Sequence, residues 1–365
     1  MGIFYYIHKW WKRLRILVRF VLFKYGIDKR PSFAVLTVTS RCNFRCKYCF
    51  GDYYASQEKD MSTEKLLKTV DELADYGVIY LNVHGGEALM RDDIGLILKR
   101  AIKRRMFVNL ITNGTLLKKC WDKIKIVDSF CISLDGREEN NDLNRGPGSF
   151  KIATRAIDFA LSKGHTVRIG LTITKHTMND LEWMAEWAKK RRIFIQPFLL
   201  FDQGNLPQEF WMTEEENKQA LRNLIDLKKR GYPIFYSMKT LNYALNWPFE
   251  KAVIRKSDLK DLTIPEGFQF IPCLYKIINV LVEANGTVRS CNAKIRGEMH
   301  CSFLDRPLKD AKEELLKKDD CLYCYHLPIV EFSNLMSISL EPVFGQFINQ
   351  AKEDLKRLRS QILTR

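Results

Sequence analysis

The chain lacks any run of about 20 mainly apolar residues, the length a membrane-spanning helix needs. Its most apolar N-terminal stretch is broken by charges every few residues, which also excludes an ordinary secretory signal. Internal repeats and low-complexity tracts are absent. Cysteine is scarce for the length, 10 in 365 residues, too few for a disulfide-held scaffold. The expected compartment is therefore cytoplasmic and reducing. The cysteines are also unevenly spread, with three at 42–49 and five at 273–324. Clusters at short spacing point to metal ligands rather than covalent staples.

What the chain has in excess is positive charge, a net +16. Residues 1–30 hold eight Lys and Arg against the single Asp28, a net +7, leaving +9 for the other 335 residues. That distribution singles out the N-terminus and argues only weakly for a nucleic-acid-binding face. Residues 3–23 have helical periodicity. Ile3, Ile7, Trp10, Leu14, Leu17, Val18 and Val21 fall on one stripe, while Lys9, Lys12, Arg13 and Arg19 lie largely off it. Trp10 and Trp11 beside cations suit a helix lying in a membrane interface, peripheral on the inner face. Docking on the body of the protein or on a partner is the alternative, since an amphipathic stripe does not choose its apolar partner.

From residue 31 the pattern alternates. Short β-branched runs at 33–39, 78–84, 107–112, 129–135, 166–174 and 193–199 are separated, for the most part, by helical stretches at 62–76, 92–105, 149–163 and 179–191. Ser62 and Thr63 can cap the first helix, and Gly77 and Gly164 can stop the first and third. Such alternation implies parallel βα units with functional loops at the C-terminal ends of the strands. Six units predict an α/β fold, an open partial (βα)6 barrel over 31–230. A helix is expected at 213–230 and an irregular connector at 231–270. A small α+β hairpin-and-helix domain should follow at 271–335, its hairpin strands at 277–283 and 287–291 joined by an Asn285-Gly286 turn. A charged amphipathic helix at 336–365 is read as surface packing.

The loop after the first strand carries Cys42, Cys46 and Cys49. Three thiolates at these spacings can wrap one corner of a cubane cluster and leave one iron open, where four-iron clusters are otherwise closed by four Cys. No fourth Cys or suitably spaced His follows nearby, so a zinc knuckle would need a distant ligand. The spacing C-x3-C-x2-C after a first strand resembles the identifying motif of the radical S-adenosylmethionine (SAM) superfamily. The resemblance implies a [4Fe–4S] cluster whose open iron is chelated by SAM. Reduction would then cleave SAM to a 5′-deoxyadenosyl radical that abstracts a substrate hydrogen, with the electron coming from a donor such as a flavodoxin or ferredoxin. It further implies that Tyr48 lies near the adenine and that Gly85, Gly86 and Glu87, which resemble the family's G-G-E motif, bind SAM, with Glu87 accepting from its ammonium. Ala88 stands where the family usually has Pro. Asn113 and Ser133 end the third and fourth strands in stretches common in the family. Ser133 is then placed at the SAM ribose or carboxylate and Arg145 at that carboxylate, unless these residues simply form turns. His84, Asp135, Gln196 and Asp202 are further polar candidates for the barrel mouth.

Cys273, Cys291, Cys321 and Cys324 supply four more thiols, enough for a tetrahedral zinc or a fully ligated four-iron cluster. Beside a radical SAM core this pattern resembles the twitch domain, a shortened relative of the SPASM domain, which holds one auxiliary [4Fe–4S] cluster. Pro328 stands where a full SPASM domain would continue with Cys. Cys301 is a spare thiol, and Cys120 and Cys131 read as core residues. The expected function is hydrogen abstraction from an unactivated carbon of a membrane lipid, isoprenoid or lipid-linked sugar. The alternatives are a peptide- or protein-modifying maturase and, from another class, a non-enzymatic zinc protein binding nucleic acid; no nucleic-acid partner is expected under the leading reading.

Overall fold

The computed structural model describes residues 3–49, 51, 53–56, 59–200, 207–291 and 300–337, with side chains from residue 8 onward. It opens with helix α1 (Ile3–Lys24), followed by β1 (Phe33–Thr37), α2 (Thr63–Tyr76), β2 (Tyr80–His84), α3 (Ile94–Lys103), β3 (Phe107–Thr112), the short α4 (Trp121–Ile124) and β4 (Ser129–Ser133). Next come α5 (Glu138–Arg145), α6 (Ser149–Ser162), β5 (Thr166–Ile173), α7 (Leu181–Arg191), β6 (Phe194–Leu199) and α8 (Glu214–Lys229). Strands β1 to β6 pair in sequence order, each parallel to the next, and form the expected open half-barrel. Local chemistry sets the helix ends where the sequence signals them. The Ser62 side chain accepts from the Lys65 amide at 3.2 Å, and Gly77 stops α2 at φ +116°, a value costly for any residue with a Cβ.

The second half of the chain is more ordered than expected. The connector contains α9 (Met238–Leu245) and β7 (Val253–Arg255). The predicted first hairpin strand begins instead as α10 (Tyr275–Ile278), so that β8 (Asn279–Val282) starts two residues later and pairs antiparallel with β9 (Thr287–Arg289). Strand β8 also pairs parallel with β1, Phe33 opposite Asn279, so the late hairpin extends the barrel sheet at its first edge. With β10 (His300–Ser302), the described sheet runs β10-β9-β8-β1-β2-β3-β4-β5-β6. Helix α11 (Leu308–Lys318), strand β11 (Cys321–Cys324) and helix α12 (Leu327–Met336) follow, and β11 pairs antiparallel with β7. The helix expected at 336–365 lies outside the described residues beyond Ser337.

Helix α1 is turned opposite to an ordinary amphipathic helix. No described helix is long and apolar enough to cross a membrane. The face of α1 that packs on the barrel is the charged one: Lys9, Lys12 and Arg13 are buried together with Ile16 and Phe20. Lys12 Nζ reaches both carboxylate oxygens of Asp128, at 2.8 and 3.1 Å, and Asp128 also accepts from the Val108 amide at 2.8 Å. Lys9 donates to the Thr166 hydroxyl and Arg15 to the Arg105 carbonyl at 2.8 Å. Ile16 and Phe20 pack on Phe33, Ile79 and Phe107, which close the N-terminal end of the barrel. Trp10, Trp11, Leu14, Val18 and Val21 are left exposed. The polar residues find fixed partners at the strand starts, and their desolvation is offset only because those partners are in place.

Asp128→Asn leaves the buried Lys12 ammonium without its counter-charge. It should lower stability by about 3 kcal/mol, within the range for breaking a buried pair, read from the urea midpoint. The double variant Lys12→Met/Asp128→Asn should recover part of that loss.

Candidate active site and auxiliary thiol site

The six parallel strands enclose a lumen of about 450 Å³. Cys42, Cys46 and Cys49 all line it, at the C-terminal end of β1 where the sequence alternation placed the functional loops. The loop holding them is fastened at several points. Asp60 accepts from the Ser40 amide and hydroxyl, both at 2.8 Å, and from the Thr39 hydroxyl. The Lys47 amide bonds the Asn144 carbonyl at 2.9 Å, and Tyr48 Oη donates to Asp135 at 2.6 Å. The Phe44 amide donates to the Cys42 sulfur at 3.4 Å. Burial pushes the Cys42 thiol up to about 11 and the Cys46 thiol up to about 12, despite the nearby Arg145 cation in the second case. Both keep their protons at neutral pH until a metal displaces them.

Gly85 and Gly86 line the same cavity, and their role in the architecture is close approach. A Cβ on Gly85 would stand 2.7 Å from the Thr39 carbonyl oxygen, and one on Gly86 would overlap the Arg41 carbonyl. The Gly86 amide donates to Thr39 and the Glu87 amide to Arg41, so the strand-two turn is zipped onto the cysteine loop. Glu87 sits behind this lining, 1% exposed, and accepts from the Asn113 amide at 2.7 Å, the Thr112 hydroxyl at 2.8 Å and the Leu89 amide at 3.1 Å. Burial raises its pKa, and these three donors act in the other direction. Glu87 thus fixes Asn113, which lines the cavity and bonds Asn43 of the cysteine loop at 2.9 Å.

Tyr48, Ser133 and Arg145 also line the cavity. Arg145 grips the fully buried Asp135 with two bonds of 2.8 Å, so its charge is already matched within the protein. Asp135 itself is a hub beneath the lining and takes the Thr172 amide at 2.9 Å as well. His84 and Gln196 face the lumen. His84 bonds Thr37 at 3.1 Å, and burial lowers its pKa to about 4, leaving a neutral imidazole. Asp202 lies outside the described residues. Arg168 faces the lumen without having been singled out in the sequence, and Cys131, read as core, is buried in the lumen wall. Their signal was the two-residue period of the strands, which puts 129, 131 and 133 on one face of β4 and 166, 168, 170 and 172 on one face of β5.

Cys273, Cys291, Cys321 and Cys324 line a second cavity with Val253, Lys276, Asp319 and Ile329. Its free volume, about 10 Å³, is small, and the convergence of four thiols from three separate segments is what distinguishes it. Cys301 stands apart in the main core, its sulfur 3.8 Å from Glu314. Cys120 is half-buried, 3.8 Å from the Leu89 carbonyl. Among the described residues no three His, Cys, Asp or Glu side chains are gathered tightly enough to grip a single ion. A lone tetrahedral zinc, with Zn–S of about 2.3 Å, would draw its thiolates together closely. The two thiol groups therefore rest on the cavities they share. Both donor sets, half-buried or buried cysteines facing a common space, suit iron–sulfur ligation.

A family profile described as the radical SAM superfamily matches residues 36–188, from β1 into α7. Among curated proteins, the chain is 30% identical over 224 residues to Fe-coproporphyrin III synthase of Methanosarcina barkeri, covering 58% of this chain and 56% of that one. It is 30% identical over 173 residues to mycofactocin maturase MftC of Mycolicibacterium smegmatis, covering 46% and 44%. To GTP 3′,8-cyclase of Staphylococcus aureus it is 31% identical over 184 residues, covering 47% and 54%. The chain thus spans about half the length of these curated relatives. Among solved structures, Streptococcus suis SuiB bound to S-adenosylmethionine superposes with a TM-score of 0.60 at 16% identity, over 79% of this chain and 67% of that one. Native anSMEcpe with bound AdoMet gives 0.58 at 18% identity, over 88% and 100%. At these identities the structural likeness establishes the fold, a partial barrel with a late small domain. A cysteine loop leaving the first strand of that barrel lies inside the matched span, so residues 36–188 form a domain that matches the radical SAM superfamily.

Proposed function

We propose that Cys42, Cys46 and Cys49 hold a [4Fe–4S] cluster at the lumen mouth and that the chain uses it to cleave SAM reductively and abstract hydrogen from an unactivated carbon. The single observation that carries this is the sharing of one cavity by those three thiols, Gly85, Gly86, Asn113, Ser133 and Arg145. A cluster held by these three thiols would supply the reducing electron for SAM cleavage and, through it, the hydrogen-abstracting chemistry. The chain's own residues place the partners. Gly85 and Gly86 let backbone approach the ligand, Glu87 holds Asn113 towards it, and Tyr48, braced by Asp135, offers an aromatic face. Glu87 itself stays behind the lining, one oxygen accepting the Asn113 amide, and acts on the ligand through Asn113. Cys273, Cys291, Cys321 and Cys324 would close a second, fully ligated cluster suited to electron transfer.

The substrate we infer is an apolar or amphiphilic molecule such as a lipid, isoprenoid or lipid-linked sugar. Phe33, Phe107, Phe130, Phe198 and Phe235 make much of the lumen wall, which favours apolar carbon over a charged peptide. The exposed Trp10, Trp11, Leu14, Val18 and Val21 of α1 form an outward apolar face with exposed Lys24, Lys29 and Arg30 following it. That face suits an anionic membrane interface, with cytoplasmic placement on its inner side and a flavodoxin or ferredoxin as electron donor. A peptide-modifying role is the second reading, favoured by the likeness to mycofactocin maturase and to SuiB, which was also solved bound to precursor peptide SuiA.

Anaerobic reconstitution should give about eight irons per chain, two four-iron clusters. Replacing Cys42, Cys46 and Cys49 by Ala should leave about four and abolish 5′-deoxyadenosine formation; SAM cleavage persisting in that variant rejects the reading. Gly86→Ala, which drives a methyl into the Arg41 backbone, should cut SAM cleavage at least tenfold while the auxiliary irons remain. Sedimentation with anionic vesicles should drop several-fold for Trp10→Ser/Leu14→Ser/Val18→Ser. Equal pelleting of the variant and the parent protein would remove the membrane contact.

A further inference from the structure

Below the cysteine loop the lumen wall is built from every second residue of the strands. The register sets Cys131 opposite Arg168 and Arg168 opposite Phe194. Arg168 lines the cavity, and its charge meets neutral neighbours: the Tyr80 hydroxyl, the Cys131 thiol and the Phe235 ring, whose centroid is 4.8 Å from the guanidinium carbon. Its Nε has no hydrogen-bond partner. Among the described residues no carboxylate pairs with it. Glu283, the one acidic residue among the described residues lining the cavity, stands at the mouth 3.2 Å from Arg289. On the next strands Asn82, Asn109 and Ser129 form a hydrogen-bonded chain at 2.9 and 2.7 Å, and Asn82 and Ser129 line the same lumen.

The contrast with Arg145 is informative. Both arginines face the lumen, yet Arg145 is matched twice by Asp135, whereas Arg168 carries an unmatched charge into a largely aromatic chamber. A guanidinium withdrawn from bulk water without a counter-ion is costly, and its planar fork fits a carboxylate or phosphate with two parallel bonds. Resting on the reading that SAM binds at the mouth, we propose that Arg168 anchors an anionic group of the substrate, a carboxylate or phosphate borne on an otherwise apolar molecule. Arg168 lies four residues before Thr172 on β5, about 13 Å along an extended strand. The carbon that gives up its hydrogen then lies within about that distance of the anion. Arg168 is in this sense a specificity residue for an amphiphile with an anionic end.

The test is isothermal titration of the reconstituted full chain with three probes of equal tail length: octanoate, octyl phosphate and the neutral octanol. The wild type should bind at least one anion about tenfold tighter than octanol, and which anion wins distinguishes a carboxylate from a phosphate. Arg168→Gln should bring the anions down to the octanol level without changing octanol binding, and Arg168→Lys should retain part of the preference. The cluster spectrum and substrate-free SAM cleavage should be unaltered in Arg168→Gln, which separates this subsite from the SAM site. Equal affinity of the wild type for octanol and both anions overturns the assignment, and that measurement decides it even if the Gln variant does not fold. Undiminished anion binding by a folded Arg168→Gln overturns it as well. Failure of the SAM reading would appear elsewhere, as SAM cleavage surviving loss of the three loop cysteines.

Discussion

The buried carboxylate of Asp135 is the constraint on which the lumen mouth depends. It receives Tyr48 from the cysteine loop, Arg145 from the end of α5 and the Thr172 amide from β5. Three segments separated by long stretches of chain are thereby held to one atom pair, in a place where bulk water cannot substitute for a lost partner. Desolvated carboxylates are stable only when fully bonded, so the network is satisfied as a whole or fails as a whole. The loop cysteines inherit their placement from it through Tyr48 and from Asp60 through Ser40.

The same device recurs at other junctions. Lys12 and Asp128 fix α1 to the start of β4, and Glu331 of α12 accepts from the Ser237 amide and hydroxyl and from Thr240, tying the late helix to α9. Apolar packing supplies most of the stability of such a domain but is not directional. Paired buried charges add the register: they specify which turn of a helix meets which strand. Where the pairing is missing, as at Arg168, the molecule departs from its own rule, and a ligand is the natural place to look for the missing partner.

Much of the barrel was legible in the sequence because each signal was local. The strands at 107–112 and 193–199 were readable from β-branched runs, α2 from its Ser62 cap and Gly77 stop, and the site from three cysteines at fixed spacing. What was not legible depended on distant partners. The α1 stripe announced an amphipathic helix, but only Asp128 and Thr166, far along the chain, decide that its cations face inward. Arg145 looked available for a carboxylate until Asp135 was seen to occupy it. Glu87 sits behind the lining for a similar reason, its three donors coming from the strand-three end and from its own turn. The hairpin at 279–289 was readable from Asn285-Gly286, but its attachment to β1 leaves no local trace.

That attachment has a consequence for how the chain can be cut. Strand β8 covers an edge of β1 that would otherwise present a row of bare amides and carbonyls. A fragment ending before residue 271 would expose this row on the very strand that leads into the cysteine loop. Uncovered edges recruit strands from other molecules. The late segment is therefore a cover for the barrel's first edge, and its hairpin ties the region of the second thiol site to the strand that leads into the cysteine loop.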